Sequence, residues 1–316
     1  MIYQAPGKVV FWGEYAVLAG APSAIMAIDR YAQVELNTRP VGWLFSSRGF
    51  TTPGIDKHTP TFSDAPAAKF SELALAHWGY TELPSAFQVC SDSSDFFAPQ
   101  IDRQPRQKLG IGSSAAVCTA TYLALAEHLH KTPSLAEALA IHHRFQGNKG
   151  SGLDVAASWH GGFIRYQENT ATPINWPENL HWRVIWTGTS ASTGRSLTNF
   201  AKWREQSSTA TLTALSVASS TLCNNISLTN IGAYTDCLRA LDEAAQLNIF
   251  THDHQRLATI ATAHDLIYKP CGAGGGDIGL ACGADAKILD AFCATVATEN
   301  YLPLNLETAP NGVKAC

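Results

Sequence analysis

The segment KLGIGSSAAV, Lys108 to Val117, constrains this chain more than any other, because it runs from a glycine turn straight into a strong helical pattern. From Ala115 to His130 the sequence AAVCTATYLALAEHLH sets apolar residues three and four apart until Pro133 stops it, which predicts a helix. Gly110 and Gly112 let the main chain turn tightly and approach a ligand closely. Ser113, Ser114 and Ala115 then place N–H groups at the positive end of the helix dipole. Such a loop suits a phosphate, and its serine hydroxyls offer donors or a metal ligand. The spacing is not that of a Walker loop, and serines at this place also serve as plain helix caps.

Three other segments carry glycine beside chemistry-bearing residues. KPCGAGGGDIGLA, Lys269 to Ala281, has four glycines among the five positions 272–276, which reads either as an idle loop or as main chain crowded against a ligand. GNKGSGLDVAASWHGG places Asp154 after a glycine turn and before a short helix, where an aspartate is a helix cap or a charge facing a site. APGKVVFWGEYAVL puts Lys8 after Pro6-Gly7, and Glu14-Tyr15 after Gly13. Separated glycine segments with a lysine and an aspartate are what a phosphate-transfer site assembled from distant loops needs.

The surrounding pattern is mixed. Lys8 to Trp12, Tyr15 to Leu18 and Ala24 to Ile28 read as strands. Leu135 to Phe145 reads as a helix and Asp154 to Trp159 as a short one, followed by strand-like FIRYQ. After Thr170 the connector ATPINWPENLHW marks a domain boundary, with residues 1–170 before it and 171–316 after it. Strand-like WRVIWTG follows, then helical patterns over 196–222, 233–247, 254–263 and 286–297. Without regular strand–helix alternation the fold class is α+β. At 316 residues, 46% hydrophobic and 15% charged with a net charge of -4, the chain can bury a large core and has no basic field for nucleic acid. It opens without a basic segment leading into an apolar stretch, and no run reaches the roughly eighteen apolar residues of a membrane span. A cytoplasmic protein with no membrane partner is expected. The eight cysteines show no zinc spacing and are expected to be reduced and mostly buried.

In order and separation, APGKVVFWGEYAVL, KLGIGSSAAV and KPCGAGGGDIGLA resemble the three signature motifs of the GHMP kinases, the superfamily of galactokinase, homoserine kinase, mevalonate kinase and phosphomevalonate kinase. The resemblance implies an N-terminal domain related to a ribosomal-protein fold and a ferredoxin-like C-terminal domain. Four details resemble the phosphomevalonate kinases: Lys108 two residues before Gly110, the QGxxGSGxDVA segment from Gln146, Asp277 after the third motif's glycines, and the TGxxAST segment from Thr187. Ile111 replaces the usual leucine, and Ser190 stands where proline is usual. The glutamate that mevalonate kinases carry eleven residues before the aspartate falls on His143.

The resemblance implies ATP as phosphoryl donor, Mg²⁺ as cofactor and a small phosphate-bearing acceptor, (R)-5-phosphomevalonate. Catalysis would fall to Lys108, Asp154 and Lys8, and ATP binding to Gly110, Gly112, Ser113, Ser114, Ala115 and Ala116. Ser113 and Ser114 would hold the metal. Lys8, Tyr15, Ser151, Ser192, Thr193, Gly274 and Gly275 would contact the acceptor, in a monomer or homodimer. The alternatives are an alcohol kinase such as mevalonate kinase, in which Asp154 activates a hydroxyl, and a nucleotide-binding regulator without turnover.

Overall fold

The computed structural model of the protein describes residues 1–40, 42–49, 57–59, 66–80, 86–99, 106–148, 150–191, 193–206 and 210–316. In chain order its elements are β1 (Ile2–Trp12), β2 (Ser23–Thr38), β3 (Leu44–Arg48), β4 (Lys57–Thr59), α1 (Pro66–His77), β5 (Phe87–Asp92), α2 (Ser113–His128), α3 (Leu135–Phe145) and α4 (Leu153–His160). These are followed by β6 (Phe163–Gln167), β7 (Thr170–Pro173), β8 (His181–Trp186), α5 (Thr193–Gln206), α6 (Ala210–Asn224), α7 (Leu228–Ala245) and α8 (His252–Ala263). The chain ends with β9 (Ile267–Pro270), β10 (Ile278–Gly283), α9 (Ala286–Thr298), β11 (Leu302–Leu304) and β12 (Lys314–Ala315). The architecture is α+β. Two compact units interleave along the sequence: Met1–Lys8, Ala27–Gly162 and Thr308–Cys316 form one, Val9–Met26 and Phe163–Glu307 the other.

In the first unit the strand order is β12-β1-β2-β5-β3-β4; β12 with β1, β2 with β5 and β3 with β4 pair antiparallel, and β3 with β5 pairs parallel. β2 shows why one face is core: Ala32, Val34 and Leu36 are buried, while Gln33 and Glu35 between them are exposed, the period-two signature of a half-covered sheet. α2 is buried almost all round, and its alanines let α1, α3 and α4 pack closely against it. Val117, Leu123 and Leu125 each contribute about 1.5–3 kcal/mol by leaving water. α3 starts at Ser134, whose hydroxyl accepts the Glu137 N–H at 3.3 Å. The C-terminal segment returns to this unit: the Ala309 and Val313 amides donate to Ala27 and Ser158 carbonyls, and the Cys316 amide to Ile2.

The second unit holds an antiparallel sheet of order β11-β8-β10-β9. α8 and α9 cover it through a core of Ile185, Leu257, Ile260, Leu266, Tyr268, Leu289, Phe292 and Val296. β6 and β7 form a hairpin that pairs with the first residues of β2, and Phe11, Phe163, Trp176 and Trp182 pack edge-to-face or tilted beside it.

Two elements differ from the sequence reading. Tyr15 to Leu18 is not a strand: Tyr15 takes φ 60°, and Ala16–Ala19 winds as a 3₁₀ turn closed by Gly20 at φ 85°. Its apolar run YAVL carries no information on backbone sign, and the flanking glycines make the turn. The pattern over 196–222 divides into α5 and α6, with 207–209 outside the described residues. The cysteines are free thiols; Cys118, Cys271 and Cys282 are buried, Cys316 is exposed and the other four are half-buried. Among the described residues no helix is long and apolar enough to cross a membrane.

Candidate functional site

In the first unit the N-terminus of α2 gathers most of the residues singled out in the sequence. Gly112 caps the helix at φ 92°, and a Cβ there would lie 2.8 Å from Cγ of Lys8 and 3.1 Å from its Cε. Only glycine allows both that backbone and that contact, so the Lys8 side chain is laid along the start of the helix. The Lys8 amide donates to the Ile111 carbonyl at 2.8 Å, which ties the first motif to the second. The Ala116 N–H is taken by the Gly112 carbonyl. The amides of Ser113, Ser114 and Ala115 belong to the turn that has no partner within the helix.

Ser113 is 1% exposed, and its hydroxyl is buried with no hydrogen-bond partner among the described residues. A buried hydroxyl left without a partner costs about 1–3 kcal/mol, a cost relieved when a ligand supplies one. The Ser114 hydroxyl lies 3.1 Å from Nε2 of His142, a buried imidazole beside the packed rings of Phe70 and Phe145. Burial pushes the His142 pKa down and the charge of Asp154 opposes it, so these two groups sense one another. Asp154 stands in the first turn of α4, half-buried, with Oδ1 accepting the N–H of Val155 at 3.1 Å. Gly152 caps that helix at φ 79°, and Ser151 precedes it, half-buried. Lys108 is exposed, in a short antiparallel bridge with Phe97. His142 went unnoticed in the sequence because nothing local marks it; its partner Ser114 is 28 residues away.

In the second unit the structure brings together the end of the first motif, the third motif and the segment 187–191. The Asp277 amide donates to the Thr189 carbonyl at 2.6 Å, the Thr187 amide to the Asp277 carbonyl at 2.9 Å, and the Ala191 amide to the Asp277 carboxylate at 3.0 Å. The glycine loop is held at other points too. Gly274 has φ 68°, and a Cβ there would lie 2.5 Å from Ile249. The Gly275 amide donates to the Ile249 carbonyl, and the Tyr15 hydroxyl donates to the Ala273 carbonyl at 2.6 Å. His254 Nε2 lies 3.0 Å from the Gly276 carbonyl and Nδ1 lies 2.8 Å from the Tyr268 hydroxyl. Since a carbonyl only accepts, Nε2 carries the proton and Nδ1 accepts from Tyr268. Ser192 lies outside the described residues, and Thr193 begins α5.

A buried ion pair joins the first and third motifs. Lys269 Nζ donates to Glu14 at 2.5 Å and to the Pro270 carbonyl at 2.7 Å, with both charged side chains 1% exposed. Tyr234 donates to the other Glu14 oxygen at 2.6 Å and accepts the Gly13 N–H at 2.8 Å. Burial alone would lower the Lys269 pKa, but the Glu14 charge overrides it, and the ammonium is held above its ordinary value. Among the described residues no cluster of three or more His, Cys, Asp or Glu side chains could hold a metal by itself.

Residues 86–162, which include the α2 loop and Asp154, match the family model described as GHMP kinases N terminal domain. A phosphomevalonate kinase of Streptomyces sp. (strain CL190) is 26% identical over an alignment 392 positions long, covering 99% of this chain and 98% of that protein. A mevalonate kinase of Thermococcus gammatolerans is 27% identical over 215 residues, covering 65% of this chain and 63% of the relative. The solved structure of Streptococcus pneumoniae phosphomevalonate kinase in complex with phosphomevalonate and AMPPNP superposes with a TM-score of 0.73 at 18% identity, covering 98% of this chain and 99% of that one. The fold is that of the GHMP kinases.

Proposed function

We propose that this chain is an ATP-dependent kinase that phosphorylates (R)-5-phosphomevalonate, giving 5-diphosphomevalonate and ADP. The observation that carries the reading is the start of α2, where Lys8 lies along Gly112 and the buried Ser113 hydroxyl lacks a partner among the described residues. The choice of acceptor is supported by the phosphomevalonate kinase relative aligning over nearly the whole chain, whereas the mevalonate kinase aligns over about two thirds.

In the proposed reaction an acceptor phosphate oxygen forms the new bond to the γ-phosphorus of ATP while the bond to the β,γ-bridging oxygen breaks and ADP leaves. A phosphate monoester has its second pKa near about 6, so at neutral pH the nucleophile is already ionised and no base must take a proton from it. The chemical obstacle is repulsion between two polyanions, so positive charge and N–H dipoles are what the protein must supply. Lys8 and Lys108 provide the charge, and the amides of Ser113 to Ala115, flanked by Gly110 and Gly112, hold the nucleotide phosphates. A Mg²⁺ ion bound with ATP would neutralise phosphate charge, and the hydroxyls of Ser113 and Ser114 are the groups that fit it. Asp154 orients the lysine and metal charge. Ser151, Gly274 and Gly275 serve the acceptor.

An alcohol acceptor is the second reading, favoured by the half-buried carboxylate of Asp154 near the same helix end. ADP release measured with phosphomevalonate, mevalonate, homoserine and galactose separates the two. Turnover is expected with phosphomevalonate. A preference for mevalonate overturns the acceptor assignment, and ATP binding without turnover on any of the four overturns the enzyme.

A further inference from the structure

Gly13, Glu14 and Tyr15, at the end of β1, grip the third motif at its stem and inside its glycine loop. Tyr15 has φ 60° and ψ -40°, and across it the Glu14 carbonyl accepts the Ala16 N–H at 2.6 Å. This is a γ-turn with its central residue at positive φ, a rare and strained form for a residue that carries a side chain. Such strain persists only where the surroundings over-determine it, and it gathers at functional sites. Here the Tyr15 ring packs on Phe200 with centroids 4.9 Å apart, the residue is 4% exposed, and the hydroxyl is spent on the Ala273 carbonyl. One residue earlier, Glu14 receives Lys269, which stands three positions before the first glycine of the loop.

We propose that Tyr15 is a positioning residue: its γ-turn aims the hydroxyl at Ala273 so that the loop Gly272–Gly276 holds one conformation before any ligand arrives, with the Glu14–Lys269 pair fixing the turn to the strand that leads into the loop. The carbonyls of Ala273 and Gly276 are then both engaged, by Tyr15 and His254, and the Gly274, Gly275 and Asp277 amides by Cys271, Ile249 and Thr189, so that among the described residues the amides of Gly272, Ala273 and Gly276 remain to meet an anionic acceptor. Tyr15 acts through the loop, not on the acceptor. The kinetic consequence rests on the kinase reading; the conformational one does not.

Tyr15→Phe keeps the ring on Phe200 and removes only the hydroxyl. Hydrogen exchange of the ligand-free protein is expected to quicken about 10-fold at the amides of residues 272–277, the scale of one lost hydrogen bond to a buried carbonyl, with exchange in α2 unchanged. With phosphomevalonate, kcat/KM is expected to fall about 10-fold while KM for ATP stays at the parent value. Unchanged exchange over 272–277 overturns the proposal, because a tyrosine that touched only the acceptor would leave the free loop as it was. Faster exchange in the variant, together with a parent protein that turns over none of the acceptors, would leave the positioning role standing and sink the kinase reading instead.

Discussion

Ser113 shows how a single residue can work against stability and for a ligand. Its hydroxyl is buried and lacks a partner among the described residues, so replacing it with alanine removes a polar group that they do not satisfy. Ser113→Ala is therefore expected to leave the ligand-free protein as stable as the parent or up to about 1 kcal/mol more so, while raising the Mg²⁺ concentration needed for half-maximal ADP release. Chemical denaturation and a metal titration check the two halves; a destabilised variant with unchanged metal dependence would make Ser113 an ordinary packing residue. Lys108 poses the complementary case. Its side chain is exposed, and in Lys108→Ala the loss of one charge that stabilises the transferring phosphoryl is expected to cost about 10²–10³ in kcat, read from steady-state ADP release. Near-parental turnover would remove Lys108 from the site.

Between elements, the Glu14–Lys269 pair joins the end of β1 to β9 inside the second unit, and its energetics are asymmetric. Breaking it from one side leaves a charge buried without compensation, whereas replacing both partners by apolar residues removes the desolvation cost together with the attraction. Lys269→Met is expected to lose about 3–5 kcal/mol in equilibrium unfolding, and adding Glu14→Leu to recover most of it. A double variant that loses as much as Lys269→Met and Glu14→Leu added together would show that the pair is not coupled. Elements like α3 were legible from the sequence, since Ser134 and Glu137 supply a start signal and the 3.6-residue period does the rest. The γ-turn at Tyr15 was not. The run from Tyr15 to Leu18 is apolar and fits a strand as well as a turn, and what fixes the turn is Ala273 and Lys269, more than 250 residues away. The same holds for His142: glycines and lysines announce a phosphate loop locally, but the imidazole that meets Ser114 sits in a helix with no pattern pointing to it.

For the molecule as a whole, two units interleaved along one chain make local ionisation a matter of global stability, and His254 provides the clearest handle. It is fully buried, and its neutral ring is satisfied on both sides, donating from Nε2 to the Gly276 carbonyl and accepting at Nδ1 from Tyr268. Protonation would place a second donor opposite the Tyr268 hydroxyl and a charge in the core. Burial, first of all, pushes its pKa down from 6.5 to about 4; bonding to Gly276 and the Asp253 charge resist that shift, and Lys269 adds to it. In the unfolded chain the same imidazole titrates near its ordinary value, so between about pH 6.5 and 4 the unfolded state binds more protons than the folded one. The contribution is therefore fully present above pH 6.5 and drains away as pH falls toward 4, by about 3 kcal/mol across the window. His254→Gln keeps an amide donor for Gly276 and cannot titrate. Its unfolding free energy, followed by urea denaturation from pH 7 down to 4, is expected to fall less steeply than the parent's, by up to about 1.4 kcal/mol per pH unit. Parallel curves for the two proteins would mean that His254 already takes up its proton in the folded state near its ordinary pKa, and that the neutral tautomer bridging Tyr268 to the glycine loop is not the one the protein holds.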